Sequence, residues 1–237
     1  MLLLLIAGLN GTAQTMAREH VILLHGLCRT NASMAPMQRA LADAGYAVSN
    51  LDYPSRSASV ESLGESVIGP ALADCRRQGA TRIHFVTHSL GGILVRSYFS
   101  RHAAEADIGN VVMLGPPSQG SEVVDRLGDW PVFSSINGPA GRELGTSPTS
   151  TPNQLGPTRL CVGIIAGTRS INWINSLLIP GPDDGKVSVE KTKLAGMADH
   201  RVIAASHPFL MRNRLAIRQT LAFLRTGLFQ RPAPALE

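Results

Sequence analysis

The chain has 237 residues, with 22 Lys and Arg against 17 Asp and Glu, 44% hydrophobic residues and 16% charged ones. A length of this order suits one large α/β domain that buries roughly 70–75% of its unfolded surface, so no metal or disulfide staple is needed for stability. Ordinary apolar content excludes a disordered or fibrous chain, and no apolar run approaches the ~20 residues of a membrane-spanning helix.

The N-terminal stretch MLLLLIAGLNGTAQTMA holds a short apolar run, Leu2 to Leu9, and small residues at Gly11-Thr12-Ala13. Residues 1–17 therefore read as a secretory leader, with a missing basic start, or else as a buried first strand or loose leader. Localisation stays open between export and the cytoplasm. Residues 18–228 read as a single domain, followed by a tail at 229–237.

Strands are predicted at His20–Leu24 (HVILL), Arg82–Val86 (RIHFV), Asn110–Leu114 (NVVML) and Leu160–Ile165 (LCVGII). Continuous apolarity, rather than alternation, marks strands buried on both faces of a parallel sheet. Tyr46–Leu51 and Arg201–Ala205 are weaker strands of the same kind. Ser33 can cap a helix carrying Met34, Met37 and Leu41 that ends near Gly45. Val60, Leu63, Val67, Ala71 and Cys75 recur at helical spacing, with Pro70 marking a kink or a helix start. Further helices are predicted over Ile93 to His102 and Phe209 to Leu224. Strands alternating with helices imply βαβ crossovers and an α/β fold with a mostly parallel, doubly covered sheet. Between Gly115 and Pro157 glycine and proline become frequent and periodicity fades, so about 116–158 is expected to be an irregular cap, lid or binding loop.

Cys28, Cys75 and Cys161 are too few for a disulfide framework, and no His/Cys cluster has zinc spacing, so no metal or other cofactor is expected. Cys75 and Cys161 read as small core hydrophobes. A net charge of +5 suits anionic ligands or lipid surfaces. No basic stripe interleaved with aromatics points to nucleic acid. Arg201, Arg212, Arg214, Arg218, Arg225 and Arg231 crowd the C-terminal part; a solvated helix face is the first reading there, a weak membrane- or partner-facing patch the second.

Thr87-His88-Ser89-Leu90-Gly91-Gly92 follows the strand RIHFV directly and precedes a helix. A serine at such a turn is held in a strained conformation with its hydroxyl above the sheet, at a helix N-terminus that favours negative charge. Gly91 supplies the small residue that close strand–helix packing needs. His25-Gly26 ends the first strand, and Gly26 permits a sharp turn that aims the Leu27 N–H into the same space. Leu27 and Leu90 N–H groups then form a pair of donors for an oxyanion. Taken singly, the first motif is also a serine-capped helix, and the second a glycine-ended strand with an interior histidine.

A serine nucleophile needs a base, and the base an orienting acid. Of seven histidines, His20 and His84 fall in strands, His25 and His88 accompany the two motifs and shape the site, and His102 and His200 carry no loop signal. His207 follows RVIAA on a loop at a strand's C-terminal end, where open α/β sheets bind ligands, and is the choice for the base. The dense turn Pro180-Gly181-Pro182-Asp183-Asp184-Gly185 offers the acid. Asp184 is preferred, Asp183 is the alternative and Asp199 a lesser rival.

Together VILLHGL (Val21–Leu27), VTHSLGG (Val86–Gly92), LGPPSQGS (Leu114–Ser121), DDGKVSV (Asp183–Val189) and SHPFLM (Ser206–Met211) resemble the α/β-hydrolase superfamily, and within it the bacterial lipases and esterases. The resemblance runs from about residue 20 to 225. It implies Ser89 as nucleophile, His207 as base, Asp184 as acid, and oxyanion donors at Leu27 and Leu90. Thr87 stands where the family has its first elbow glycine. The implied activity is cleavage of a carboxylic ester or lipid through an acyl-enzyme. An acyltransferase with the same triad is the rival reading, and a non-catalytic binding module of the same fold a more distant one.

Overall fold

The computed structural model describes residues 18–128, 130–171 and 173–231; the leader expected at 1–17 lies outside them. Six strands form the sheet: β1 (Glu19–Leu24), β2 (Ala47–Leu51), β3 (Arg82–His88), β4 (Ile108–Leu114), β5 (Val162–Gly167) and β6 (Asp199–Ile203). Their order is β2-β1-β3-β4-β5-β6, and every pairing is parallel. The helices are α1 (Ala35–Asp43), α2 (Val60–Arg77), α3 (Leu90–Arg101), α4 (Glu122–Leu127), α5 (Pro131–Arg142), α6 (Thr151–Gln154), α7 (Trp173–Leu178), α8 (Val189–Thr192) and α9 (Arg214–Thr226), with 3-10 turns at Asn31–Met34 and His207–Arg212.

Successive strand residues point to opposite faces, and the sheet covers both. Ile22, Leu24, Ile83, Phe85, Val111 and Met113 face α2 and α3. Val21, Leu23, Val86, Val112, Leu114 and Ile165 face α1 and α9. On that second face a Cβ at Gly163 would lie 2.4 Å from the Phe223 ring, so β5 must carry a glycine for α9 to seat. Ser59 caps α2 by accepting from the Ser62 N–H. Gly227, at φ 75°, ends α9 in the left-handed conformation that glycine adopts without strain.

Several expected boundaries move. The final helix does not begin at Phe209: residues from His207 form the 3-10 turn, and Asn213 caps α9 by accepting from the Leu215 and Ala216 N–H groups. Strand β5 lies two residues later than expected because Ala166 and Gly167 pair with Val202 and Ile203. Cys161 therefore precedes the strand and is exposed, contrary to the core position expected of it. Strand β6 starts earlier, at Asp199, whose carboxylate accepts from the Phe229 N–H. Phe229 is buried against Phe223, so packing extends one residue past the expected end of the domain. Helix α2 runs continuously through Pro70, which is not a start. The stretch expected to be irregular holds α4, α5 and α6, with α5 broken at Gly138 (φ 65°) where that residue packs on the Arg56 carbonyl.

Candidate active site

The chain steps outward from β1 to β2 and then returns to β3 on the other side of β1. Such a reversal leaves a crevice beyond the strand ends, the place where open α/β sheets bind ligands. Leu27 follows β1 there and Ser89 follows β3.

Ser89 has φ 52° and ψ −119°, and its N–H donates to the Leu114 carbonyl at 2.9 Å. A non-glycine residue held there stores about 1–3 kcal/mol of strain, kept in place by surrounding packing. The packing is close. A Cβ on Gly91 would sit 2.8 Å from the Leu24 carbonyl oxygen, and one on Gly26 would sit 2.7 Å from His88 Nδ1. Thr87, the departure from the family pattern, is buried, and a Cβ on Gly92 would meet its Oγ1 at 3.2 Å; the second glycine makes room for the extra methyl and hydroxyl. Leu90 opens α3, and neither its N–H nor that of Leu27 finds an acceptor among the described residues.

Across the crevice stands His207. Its Nδ1 lies 2.7 Å from Asp184 Oδ2, and its backbone N–H donates to the Asp184 carbonyl at 2.9 Å. Asp184 is fully buried, and its other carboxylate oxygen accepts from the Lys186 and Val187 N–H groups at 3.0 and 2.9 Å. A buried charge is tolerable when every lone pair facing protein is met in this way. Gly115, at φ 55°, lies beneath the pair: a Cβ there would come within 3.0 Å of Asp184 Oδ2 and 3.1 Å of His207 Nδ1.

The neighbouring Asp183 is turned elsewhere, accepting from the Gly185 N–H at 2.7 Å and the Ser176 hydroxyl at 2.8 Å. Asp199 begins β6, at the opposite end of the sheet. His88 donates from Nε2 to the His207 carbonyl at 3.0 Å, with the two rings 4.7 Å apart. Burial, reinforced by His207 and Arg29, pushes the His88 pKa well down, so the ring is neutral. His25 is buried under Tyr53, stacked at 4.1 Å. Its Nδ1 donates to the Gly26 carbonyl, Nε2 accepts from the Tyr53 N–H, and burial lowers its pKa. The remaining histidines are engaged away from the crevice: His20 with Ser49, His84 with Asn110, His102 with Glu65, and His200 with Thr192.

The structure thus brings Asp184 and His207 into direct contact and sets His88, adjacent to Ser89, against the His207 loop. Among the described residues the Ser89 hydroxyl is not hydrogen-bonded to the imidazole. Two participants escape sequence reasoning. Tyr53 has no motif of its own and reaches the site only through the β1–β2 register. Gly115 sits in LGPPSQGS, where a glycine at a strand end was the available signal.

The alpha/beta hydrolase family profile matches residues 21–161. Mature Bacillus licheniformis lipase BlEst2 superposes with a TM-score of 0.71 at 17% identity, covering 89% of this chain and 92% of that one. Legionella pneumophila phospholipase PlaB gives a TM-score of 0.60 at 19% identity, over 74% of this chain and 44% of that one. The metagenomic carboxyl esterase MGS0156 gives 0.59 at 17% identity, over 81% and 65%. No curated protein sequence matches significantly.

Proposed function

The chain belongs to the alpha/beta hydrolase family, and on that premise we propose that it hydrolyses carboxylic esters, lipids among them, with Ser89, His207 and Asp184 as triad. The observation that carries the reading is a strained serine at a strand–helix junction, in the same crevice as a histidine whose Nδ1 is held by a fully buried carboxylate.

With Nδ1 donating to Asp184, the imidazole has its second nitrogen, Nε2, free to act as an acceptor. Ser89 attacks the ester carbonyl and gives its proton to Nε2. The negative charge that develops on the carbonyl oxygen is met by the Leu27 and Leu90 N–H groups. Collapse breaks the carbon–oxygen bond to the alcohol, which takes the proton from the imidazolium and leaves. Water then loses a proton to the same nitrogen as it attacks the acyl-enzyme, and Ser89 departs reprotonated. As is common without substrate, the Ser89–His207 hydrogen bond is open and is expected to close when substrate is bound.

Assays on p-nitrophenyl esters of graded acyl length test the reading. Turnover is expected in the wild type and its loss in Ser89→Ala. A correctly folded wild type that cleaves none of the series, or a Ser89→Ala variant that keeps its rate, overturns it.

A further inference from the structure

Beside Leu27 the molecule has an open groove of about 910 Å³ that the triad does not occupy. Its walls come from the loop after β1 (Cys28, Arg29) and the loop after β2 (Asp52, Tyr53, Ser55, Arg56), closed on one side by α5. The floor is well fixed. Tyr53 stacks on His25 and donates its hydroxyl to the His25 carbonyl, and buried Ser55 accepts from the Cys28 N–H through Oγ. Cys28 holds φ 57° to make this turn, immediately after Leu27.

The charges on the walls are uneven. Arg29 and Arg56 are exposed, and among the described residues no carboxylate pairs with either. Arg56 donates one N–H to the Ile136 carbonyl, which fixes the guanidinium and leaves the rest of its fork open. Lys186, beside the acid turn, adds its field at Cys28. The single carboxylate in the groove, Asp52, is exposed and accepts from the Asn31 N–H at 3.0 Å, so one carboxylate faces two guanidinium groups. Arg29 also acts on His88, inside the catalytic crevice, so groove and crevice share one electrostatic space.

Two unpaired guanidinium groups in a concave wall match the oxygen geometry of a phosphate or carboxylate, which each can bind with two N–H groups. We propose that this groove binds an anionic group carried by the ester substrate itself, so that the enzyme prefers phosphate- or carboxylate-bearing esters over neutral ones. The inference rests on the ester-hydrolase reading and names the substrate class for it.

Matched pairs test it. On the acyl side these are p-nitrophenyl half-esters of succinic, adipic and suberic acid against p-nitrophenyl esters of the monoacids of equal length. On the alcohol side the pair is 1-octanoylglycerol 3-phosphate against 1-octanoylglycerol. In at least one arm kcat/KM for the anionic member is expected to be about tenfold higher at low salt, shrinking as ionic strength screens the exposed pair. Arg29→Gln combined with Arg56→Gln is expected to cost the anionic ester about tenfold more than its neutral partner. No preference in either arm, or a preference that survives the double variant, overturns the proposal; so does inhibition by inorganic phosphate alone without any substrate preference, which would make the groove a free-anion site.

Calorimetric binding of the same pairs to Ser89→Ala separates the two claims. Tighter binding of the anionic members that the arginine substitutions abolish supports the groove, even if the wild type turns nothing over and the hydrolase reading falls. Equal binding of both members sinks the groove while leaving the hydrolase reading intact.

Discussion

The two ends of this parallel sheet are built differently. At the C-terminal end, beyond β1 and β3, lie both of the non-glycine residues with positive φ among those described, Cys28 and Ser89. Fully buried Asp184 contacts His207 there, and the turns close only because Gly26, Gly91 and Gly115 lack side chains. At the N-terminal end Asp199 is committed to the Phe229 N–H and an ion pair with Arg231, which anchor the chain after α9. A carboxylate and a histidine occur at both ends; packing and strain distinguish the end proposed for catalysis from the other. On the proposed reading, the strain at Ser89 persists because reactivity needs it.

Substitutions at the two ends should therefore have opposite signatures. The largest effect is expected at the strained rim: Ser89→Ala or His207→Ala is expected to lower kcat on the order of 10⁶-fold, read by ester hydrolysis, with little change in melting temperature. Ser89→Gly goes further, removing the hydroxyl and the strain together. It is expected to abolish turnover while raising stability by about 1 kcal/mol in denaturant melts; an unchanged or lowered midpoint would show that the rim stores no strain.

Next in size is the contrast between adjacent acids. Asp184→Asn is expected to lower kcat on the order of 10⁴-fold by spoiling the imidazole's orientation. Asp183→Asn, which among the described residues loses contacts to Gly185 and Ser176, is expected to act mainly on stability. The reverse ranking in steady-state kinetics would assign the orienting role to Asp183.

Away from the rim the readout changes from rate to stability. Phe223→Ala is expected to destabilise by about 3–5 kcal/mol, and Gly163→Ala, which drives a methyl into the Phe223 ring, by about 1–3 kcal/mol. Both leave the triad's contacts untouched, so kcat of the folded fraction should hold; a rate loss comparable to that of Asp184→Asn would erase the distinction between the two regions.

The last contrast concerns pH. His84, buried in β3, has its pKa lowered to about 4, first by burial and then by Arg82. The unfolded chain takes up that proton near the ordinary value of 6.5, so as pH falls below it the unfolded state binds more protons and stability drops. The contribution is fully present above pH 6.5 and is lost progressively down to about pH 4, a span worth about 3 kcal/mol. His84→Gln is expected to flatten the dependence of the unfolding midpoint over this window; an unchanged slope would remove His84 from it.

The α/β class was legible because β1, β3 and β4 carry apolar side chains on both faces of the strand, as a doubly covered sheet requires. Strands β5 and β6 were placed two residues off, since Ala166 and Gly167 extend β5 by pairing rather than by hydrophobicity, and Asp199 enters β6 through a contact with the chain beyond α9. Helices α4 to α6 were missed because α4 and α6 are only six and four residues long and α5 is interrupted at Gly138 and Pro139, where Gly138 packs on the Arg56 carbonyl. In the crevice, Ser89, Asp184 and His207 each carry a local turn signature that could be read in one dimension. Tyr53 and the Arg29–Arg56 groove carry none. They exist only once β2 lies beside β1, which brings the two following loops together.

Intact-mass analysis after treatment with a fluorophosphonate tests the central claim most directly, because it requires only a reactive hydroxyl and an intact relay. Stoichiometric addition at Ser89 in the wild type, slowed by orders of magnitude in His207→Ala and absent in Ser89→Ala, is the result expected. A folded wild type left unmodified, or one labelled at some other residue, would contradict it.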